Sequence, residues 1–490
     1  MKLMNTIAAV SALAFAFRVE ASFSVHVWRG ETKYVNIPSG CAGSLMKENG
    51  AEKDGVRLAL ACYDDVAYEK TPGGERFFRP DVFRELPPGS AKIPTLCRLS
   101  VSPGAKSGSR TFGPMEVVVS GRVLPPASDW KYRLDLWQHP WAVARYFGVK
   151  PFSGEHYAKM EIVWRALADC GVKTLTTTIL DLPWNHQCYD GYASMVGRVK
   201  TADGKWRFDW SIFDEYVEFG RKCGIGPSIA CYTMCPWGYM ASWHDENGEE
   251  HREKLLPGTP AFEDYWGDFL VAFAAHLKEK GWFDDTVIAM DERGPEDVKL
   301  IARFIQEKAP GMKISMAGDR KPSAFKGIKI DEYSQGLSCL TEDFLPELPA
   351  RAEKGMKTTF YVCCNPVRPN TFMESPEDEA FWIGAYPVMA GFDGFLRWAA
   401  NSWPEDPYKD ASFKTANWKA GDTYLVYPSG ELSSRMISLR AGIVAAEKMA
   451  ILGKGERMKE IASRCGWREA MSGEADFSAF RREVESLVAD

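Results

Sequence analysis

Between Phe23 and about Val123 apolar and polar residues alternate in short runs, SFSVHVW, TKYVNIP, GVRLALACY, TLCRLSVSP and MEVVVSGRV, each broken by Gly, Pro, Ser or Asn. A period of two interrupted at short intervals predicts half-buried strands packed as a β-sandwich. At Leu124 to Trp130, LPPASDW, the pattern breaks and the rhythm changes. Beyond it, continuous apolar runs follow one another: YRLDLWQ from Tyr132, VKTLTTTIL from Val172, IGPSIACYT from Ile225, TVIAM from Thr286, MKISMAG from Met312, IKIDEYS from Ile328, TTFYVCC from Thr358 and GFDGFLRWA from Gly391. Segments with helical spacing, such as GEHYAKMEIVWRALADC and PEDVKLIARFIQEKA, lie between most of them. Continuous runs predict strands buried on both faces, and eight of them alternating with helices predict a (β/α)8 TIM barrel. An open doubly wound sheet shares the alternation, but GIGPSI near Gly224 lacks the third glycine of a dinucleotide loop and follows a helix.

The expected organisation is therefore an α/β chain with four parts: a signal peptide over 1–21, an N-terminal β-sandwich over 22–126, a catalytic barrel over 127–452 and a helical tail over 453–490. The barrel part closes with GDTYLVYPSGELSS, which reads as a short hairpin, and a long helix for which Ser433 is the expected N-cap. The first segment has Lys2, an apolar run from Ile7 to Phe17 and small residues near Ala21, which suits a secretory leader and predicts export. No later run is long enough to span a membrane.

Composition narrows the chemistry. A net charge of −6 with no basic stripe argues against nucleic acid. With 17 Trp, 18 Tyr and 27 Phe the chain carries ring surface on which a sugar can stack. The 12 cysteines sit mostly inside apolar segments, and the 7 histidines show no paired-ligand spacing, so neither a zinc site nor another cofactor is expected. No nucleophile elbow or phosphate loop appears. Oligomeric state is not legible.

The sharpest motif is TVIAMDERGPED, where a strand-like run stops in Asp291 and Glu292. Barrel strands point their carboxyl ends at the active site, and two adjacent carboxylates push their proton affinities apart. Capping of the helix that starts at Pro295 is the alternative reading of the same position. Two rival dipeptides are placed less well: Asp331-Glu332 within strand six and Asp214-Glu215 on a helix. Neighbouring residues cannot flank a sugar from opposite sides as an ordinary glycosidase pair does. They can serve a 2-acetamido sugar, whose carbonyl oxygen attacks C1 itself and leaves the protein to orient the acetamido group and protonate the leaving oxygen.

On these residues, and on LDLWQHPWAVARYFGVKPFSGEHY, GFLRWAANSWPEDPY and GDTYLVYPSGELSSRMISLRAGI, the chain resembles glycoside hydrolase family 123, the domain-of-unknown-function 4091 type. The resemblance implies a retaining β-N-acetylgalactosaminidase, with Asp291 orienting the acetamido group and Glu292 as general acid and base. Arg293 follows the pair where relatives often have Pro. Residues expected near the sugar from their places at strand ends are Gln138, His139, Asp181, Tyr232, Tyr333, Tyr361, Trp398, Asn401 and Trp403, with a glycan as the partner. Tyr333 and Tyr361 are candidates for a phenol that binds the acetamido oxygen. Two alternatives stay open: a barrel that binds glycans without turnover, and a two-carboxylate glycosidase pairing Glu292 with a distant acid such as Asp181.

Overall fold

The structure is a computed structural model and describes residues 22–414 and 416–489; the expected signal peptide lies outside the described residues. Among the described residues two compact units emerge, one formed by the chain up to Ala61 with Glu85–Gly121, the other by Cys62–Arg84 with the described residues from Arg122 onward.

In the first unit, strands Phe23–Arg29, Gly108–Phe112 and Met115–Val123 form one sheet, and Thr32–Asn36, Leu96–Val101 and the start of Val56–Glu69 form the centre of another. Alternate residues of both, among them Val27, Leu58, Leu60, Leu99, Val117 and Val119, share one core. This is the two-sheet packing that the period of two predicts.

The second unit is a (β/α)8 barrel. Its strands are β1 (Arg133–Leu136), β2 (Thr174–Thr178), β3 (Ser228–Tyr232), β4 (Thr286–Asp291), β5 (Lys313–Gly318), β6 (Glu332–Gly336), β7 (Lys357–Tyr361) and β8 (Gly394–Arg397). Each of the eight overlaps its expected run, and they pair in parallel in sequence order from β2 to β8, with β8 pairing β1. Between β1 and β2 the ladder shrinks to a single bridge, Leu134 to Val172. Gln138 makes up the deficit: its Nε2 donates to the carbonyls of Leu136 and Thr174, and its Oε1 accepts from the Thr176 amide at 2.9 Å. The outer layer contains α1 (Pro140–Phe147), α2 (Gly154–Asp169), α3 (Ser211–Cys223), α4 (Pro260–Lys280), α5 (Pro295–Lys308), α6 (Glu347–Glu353), α7 (Glu377–Met389) and α8 (Ser434–Leu452). After β5 a single 3₁₀ turn, Pro322–Ala324, stands where a barrel helix would.

Three features depart from the sequence pattern or extend it. The loops after β2 and β3 build a four-stranded sheet of their own from Gly197–Lys200, Trp206–Asp209, Met240–Asp245 and Glu250–Lys254. The expected hairpin before α8 is reduced to one bridge, Val426 to Leu432, although Ser433 does cap α8, its hydroxyl accepting from the Met436 amide at 3.0 Å. The tail forms three short helices, Gly455–Arg464, Trp467–Ser472 and Phe477–Leu487.

Arg435 at the start of α8 is fully enclosed and paired with Asp81 at 3.0 Å. It also donates to the carbonyls of Gly421 and Tyr424, at 2.8 and 3.0 Å. A buried guanidinium satisfied on this many sides fixes the loop it grips, and that loop carries Asp422.

Candidate active site

β4 begins as five fully buried residues, TVIAM, and its last, Asp291, emerges at the carboxyl end of the barrel. Glu292 follows with φ of 43°, left-handed backbone that costs a non-glycine residue on the order of 1 kcal/mol. Its amide still pairs with the strand beside it, donating to the Ala317 carbonyl at 2.7 Å. Neither carboxylate caps a helix: the N-cap of α5 is Gly294, with Pro295 in the first turn, and Glu296 and Asp297 are the acids at that helix terminus. The capping alternative is thereby removed. The rival dipeptides are engaged elsewhere. Glu332 opens β6 at the opposite end of the barrel and pairs with Arg133, Asp331 accepts from the Ile314 amide at 3.0 Å, and Asp214 binds His276 and Lys280 at 2.7 and 2.8 Å.

Each carboxylate of the pair has its own donor. The indole N–H of Trp237 donates to Asp291 Oδ2 at 3.0 Å, and the Tyr361 hydroxyl, at the end of β7, donates to Glu292 Oε1 at 2.5 Å. Burial, reinforced by the negative charge of Glu292, pushes Asp291 up to about 7, against the opposing pull of the Trp237 hydrogen bond and the Arg293 charge. Burial and the Glu292 charge also push the Tyr361 phenol far above its ordinary range, so it stays a neutral donor. Trp237 is itself held on two sides: its amide donates to Pro183 O at 3.0 Å, and the Arg293 guanidinium lies 5.1 Å from its ring. Arg293 is anchored in turn by its Nε on the Cys235 carbonyl at 3.0 Å. Arg293 therefore braces the donor to Asp291.

Rings line the surrounding barrel mouth. Trp137 stacks on Trp184 at 4.8 Å and meets Tyr232 at 4.6 Å, and Tyr192 closes on Trp184 at 4.8 Å. Trp237, Trp398 and Cys363 pack against this cluster as half-buried members. Trp398 is oriented by Asp422, which accepts its indole N–H at 3.0 Å while paired at 2.8 Å with the enclosed Arg397. Two carboxylates beside an apolar aromatic wall suit a ring with one polar edge and one CH-rich face.

Of the residues expected near a sugar, the structure gathers Asp291, Glu292, Tyr361, Tyr232 and Trp398 at this mouth. It commits the others elsewhere. Gln138 is the β1–β2 seam described above. His139 is fully buried, accepts the Ala142 amide on Nδ1 at 3.3 Å and faces the Asp190 carbonyl with Nε2 at 3.0 Å, an arrangement that assigns the ring proton to Nε2. Burial depresses it to about 3, so it is a neutral structural ring stacked on Tyr192 at 3.8 Å. Asn401 clasps the backbone of His139 through both amide atoms, at 2.9 and 3.1 Å. The Trp403 indole donates to Val426 O at 2.7 Å, and Tyr333 donates its hydroxyl to the Arg320 carbonyl. Asp181 accepts from the Ser194 amide at 2.6 Å and from the Ser242 hydroxyl, tying the inserted sheet to the end of β2. For Gln138, His139, Asn401, Trp403 and Tyr333 the correction has one cause: a buried polar group must be satisfied, and here the backbone satisfies it. Asp422 and Tyr192 went unrecognised; GDTYLVYPSGELSS held the first, with nothing in its spacing to show that it faces Trp398.

Among the described residues, Asp245, Glu249 and His251 bring potential ligand atoms within 4.8 Å of one another. They lie at an outer turn of the inserted sheet, where Asp245 already accepts the amides of Asn247 and Glu249, at 2.8 and 2.9 Å.

Tyr361→Phe removes a hydrogen bond to a charged group, worth about 1.5–3 kcal/mol. We expect kcat/KM for any glycoside turned over at this pair to fall by about 10- to 100-fold. Steady-state kinetics beside a melting curve checks this, since a structural role alone would lower stability and spare turnover of the folded enzyme.

Residues 137–452 match a family model described as "Glycoside hydrolase 123, catalytic domain", well over half of the chain. No curated protein matches. Among solved structures, the chain is similar to a family 123 glycoside hydrolase from Clostridium perfringens, studied for glycolipid glycan hydrolysis. The TM-score is 0.79 at 22% identity, over 96% of this chain and 94% of that one. A weaker likeness, TM-score 0.39 at 11% identity over 67% of this chain and 60% of the other, is to the exo-β-1,4-mannosidase Op5Man5 from Opitutaceae bacterium strain TAV5.

Proposed function

The chain belongs to glycoside hydrolase family 123, and from that premise we propose that it removes terminal β-linked N-acetylgalactosamine from glycans with retention, the substrate supplying the nucleophile. The observation that carries this reading is the side-by-side placement of Asp291 and Glu292 on one strand end, each with a separate donor. Asp181, the distant acid an ordinary two-carboxylate mechanism would recruit, has both oxygens engaged by Ser194 and Ser242.

In the proposed cycle the acetamido oxygen attacks C1 while the bond from C1 to the leaving oxygen breaks. Glu292, as the carboxylic acid, gives that oxygen its proton. Asp291, as the carboxylate, accepts the acetamido N–H and stabilises the positive charge that spreads over the oxazolinium ring. Glu292 then deprotonates water, which attacks C1 and reopens the ring. Two crowded carboxylates favour holding one proton between them, and an acetamido N–H on Asp291 favours its charged form, sending the shared proton to Glu292. Tyr361 keeps Glu292 aimed, and the rings of Trp137, Trp184 and Trp398 offer the sugar an apolar face.

Aryl β-N-acetylgalactosaminide and β-N-acetylglucosaminide, each assayed with and without a thiazoline that mimics the bicyclic intermediate, test the reading. Faster turnover of the galacto substrate and strong competitive inhibition are expected. Turnover indifferent to the thiazoline would contradict the mechanism, and equal or greater turnover of the gluco substrate would contradict the sugar assignment.

A further inference from the structure

Two and three residues beyond Tyr361, the end of β7, the chain places Cys363 and Cys364 side by side with their thiols free and their sulfurs 3.7 Å apart. Both are half-buried. Cys363 packs against the same aromatic cluster as Trp137 and Trp398. Cys364 lies close enough to Glu292 and Asp422 to feel both charges. The turn is pinned from outside: Asn370 donates to the Cys363 carbonyl at 2.9 Å, and the Cys363 amide donates to Asn365 O at 3.1 Å. Most of the other thiols are enclosed in the core; among the described residues only Cys188 and Cys339 are otherwise accessible.

We propose that Cys363 and Cys364 form a reactive dithiol in the wall of the carboxylate cleft, a modification site for two-electron oxidants such as hydroperoxides. The pair is asymmetric. Contact with Cys363 lowers the Cys364 thiol below its ordinary range, against burial and the charges of Asp422 and Glu292, while the same contact and burial push Cys363 up, so one sulfur is the nucleophile and the other keeps its proton. The Cys364 thiolate attacks one peroxide oxygen, the O–O bond breaks, and the departing oxygen leaves as water after taking a proton. Cys363 then attacks the sulfur of the resulting sulfenic acid, the S–O bond breaks and a second water leaves. In total two thiols and one peroxide give one disulfide and two waters, the sulfurs losing two electrons.

Closing the bond takes the sulfurs from 3.7 Å to about 2.05 Å across neighbouring residues. Adjacent Cα atoms are about 3.8 Å apart, shorter than the roughly 4.4–6.8 Å usual for a bridge, so the ring is strained and easily reduced. Its closure distorts the turn that follows Tyr361, the donor to Glu292, and oxidation is therefore expected to lower turnover reversibly.

The test treats the reduced full chain with hydrogen peroxide at pH 7, blocks remaining thiols with iodoacetamide and weighs the tryptic peptide over residues 358–397, which holds no other cysteine. The expected peptide lacks two hydrogens and takes no iodoacetamide, activity on the aryl glycoside falls about tenfold or more, and a phosphine reductant restores both. Cys364→Ser is expected to keep the activity of the reduced parent and resist the same peroxide dose. Alkylation of both thiols after peroxide, a disulfide with unchanged turnover, or equal peroxide sensitivity in Cys364→Ser would each overturn the proposal. The mass readout needs no glycosidase activity, so a wrong assignment of substrate leaves it intact.

Discussion

Glu292→Gln is expected to lower kcat/KM on alkyl glycosides by about 10²- to 10⁴-fold, the range that a positioned general acid contributes. The amide preserves size and can still meet the Tyr361 hydroxyl, so the loss isolates the proton. A leaving oxygen of an alkyl glycoside departs as a strong base unless protonated, whereas an activated phenolate departs without help. The loss in kcat/KM is therefore expected to shrink as the leaving group improves, while kcat stays lowered by hydrolysis of the oxazoline, which calls on the same carboxylate as a base. Comparing alkyl, phenyl and dinitrophenyl glycosides of one sugar checks both halves; a loss of equal size on all three would remove Glu292 from the role of acid.

Asp291→Asn is expected to trade activity for stability. The amide cannot match a carboxylate beside the cationic oxazolinium ring, and loss of such preorganised charge costs about 3–4 kcal/mol, or about 10²- to 10³-fold in kcat. Wild-type kcat/KM is expected to decline as pH rises above about 7, where the pair loses the single proton that the acetamido N–H sends to Glu292. That limb should move in the variant, where no second carboxylate remains to share the proton. The substitution shifts stability in the opposite direction to activity. An unfolded aspartate titrates near ~4, whereas burial raises Asp291 to about 7 in the fold. The folded state therefore binds a proton the unfolded one has released, and wild-type stability is lost as pH climbs from about 4 to about 7. Asn carries no such penalty. The variant should match the parent near pH 4 and exceed it at pH 8 by about 1–3 kcal/mol, allowing for solvent at the cleft. Thermal unfolding across that range measures it.

What could be read from the sequence follows from how each feature is encoded. Barrel strands are buried on both faces, and VIAM in β4 announces this by having no polar side to turn outward. Asp291 and Glu292 were legible for the related reason that charge following such a run has to lie at a strand end. The inserted sheet was not, because GRVK, WRFD and EHREK have water on much of their surface and no apolar face to set a period. Gln138, His139 and Asn401 misled because a polar residue near a strand end looks the same in sequence whether it awaits a ligand or replaces a missing ladder bond. Here the β1–β2 seam and the start of α1 needed them. Trp237 and Tyr361 meet the carboxylates across loops and strands far apart in the chain, a pairing that no local spacing encodes.

A graded series of substrates, in which the acetamido methyl carries no, one, two or three fluorines, bears most directly on the proposed internal nucleophile. Each fluorine withdraws electron density from the carbonyl oxygen while leaving the leaving group untouched. If that oxygen attacks C1, kcat/KM should fall steeply and monotonically along the series. A flat response would contradict the account and return the search to a carboxylate on the far side of the sugar.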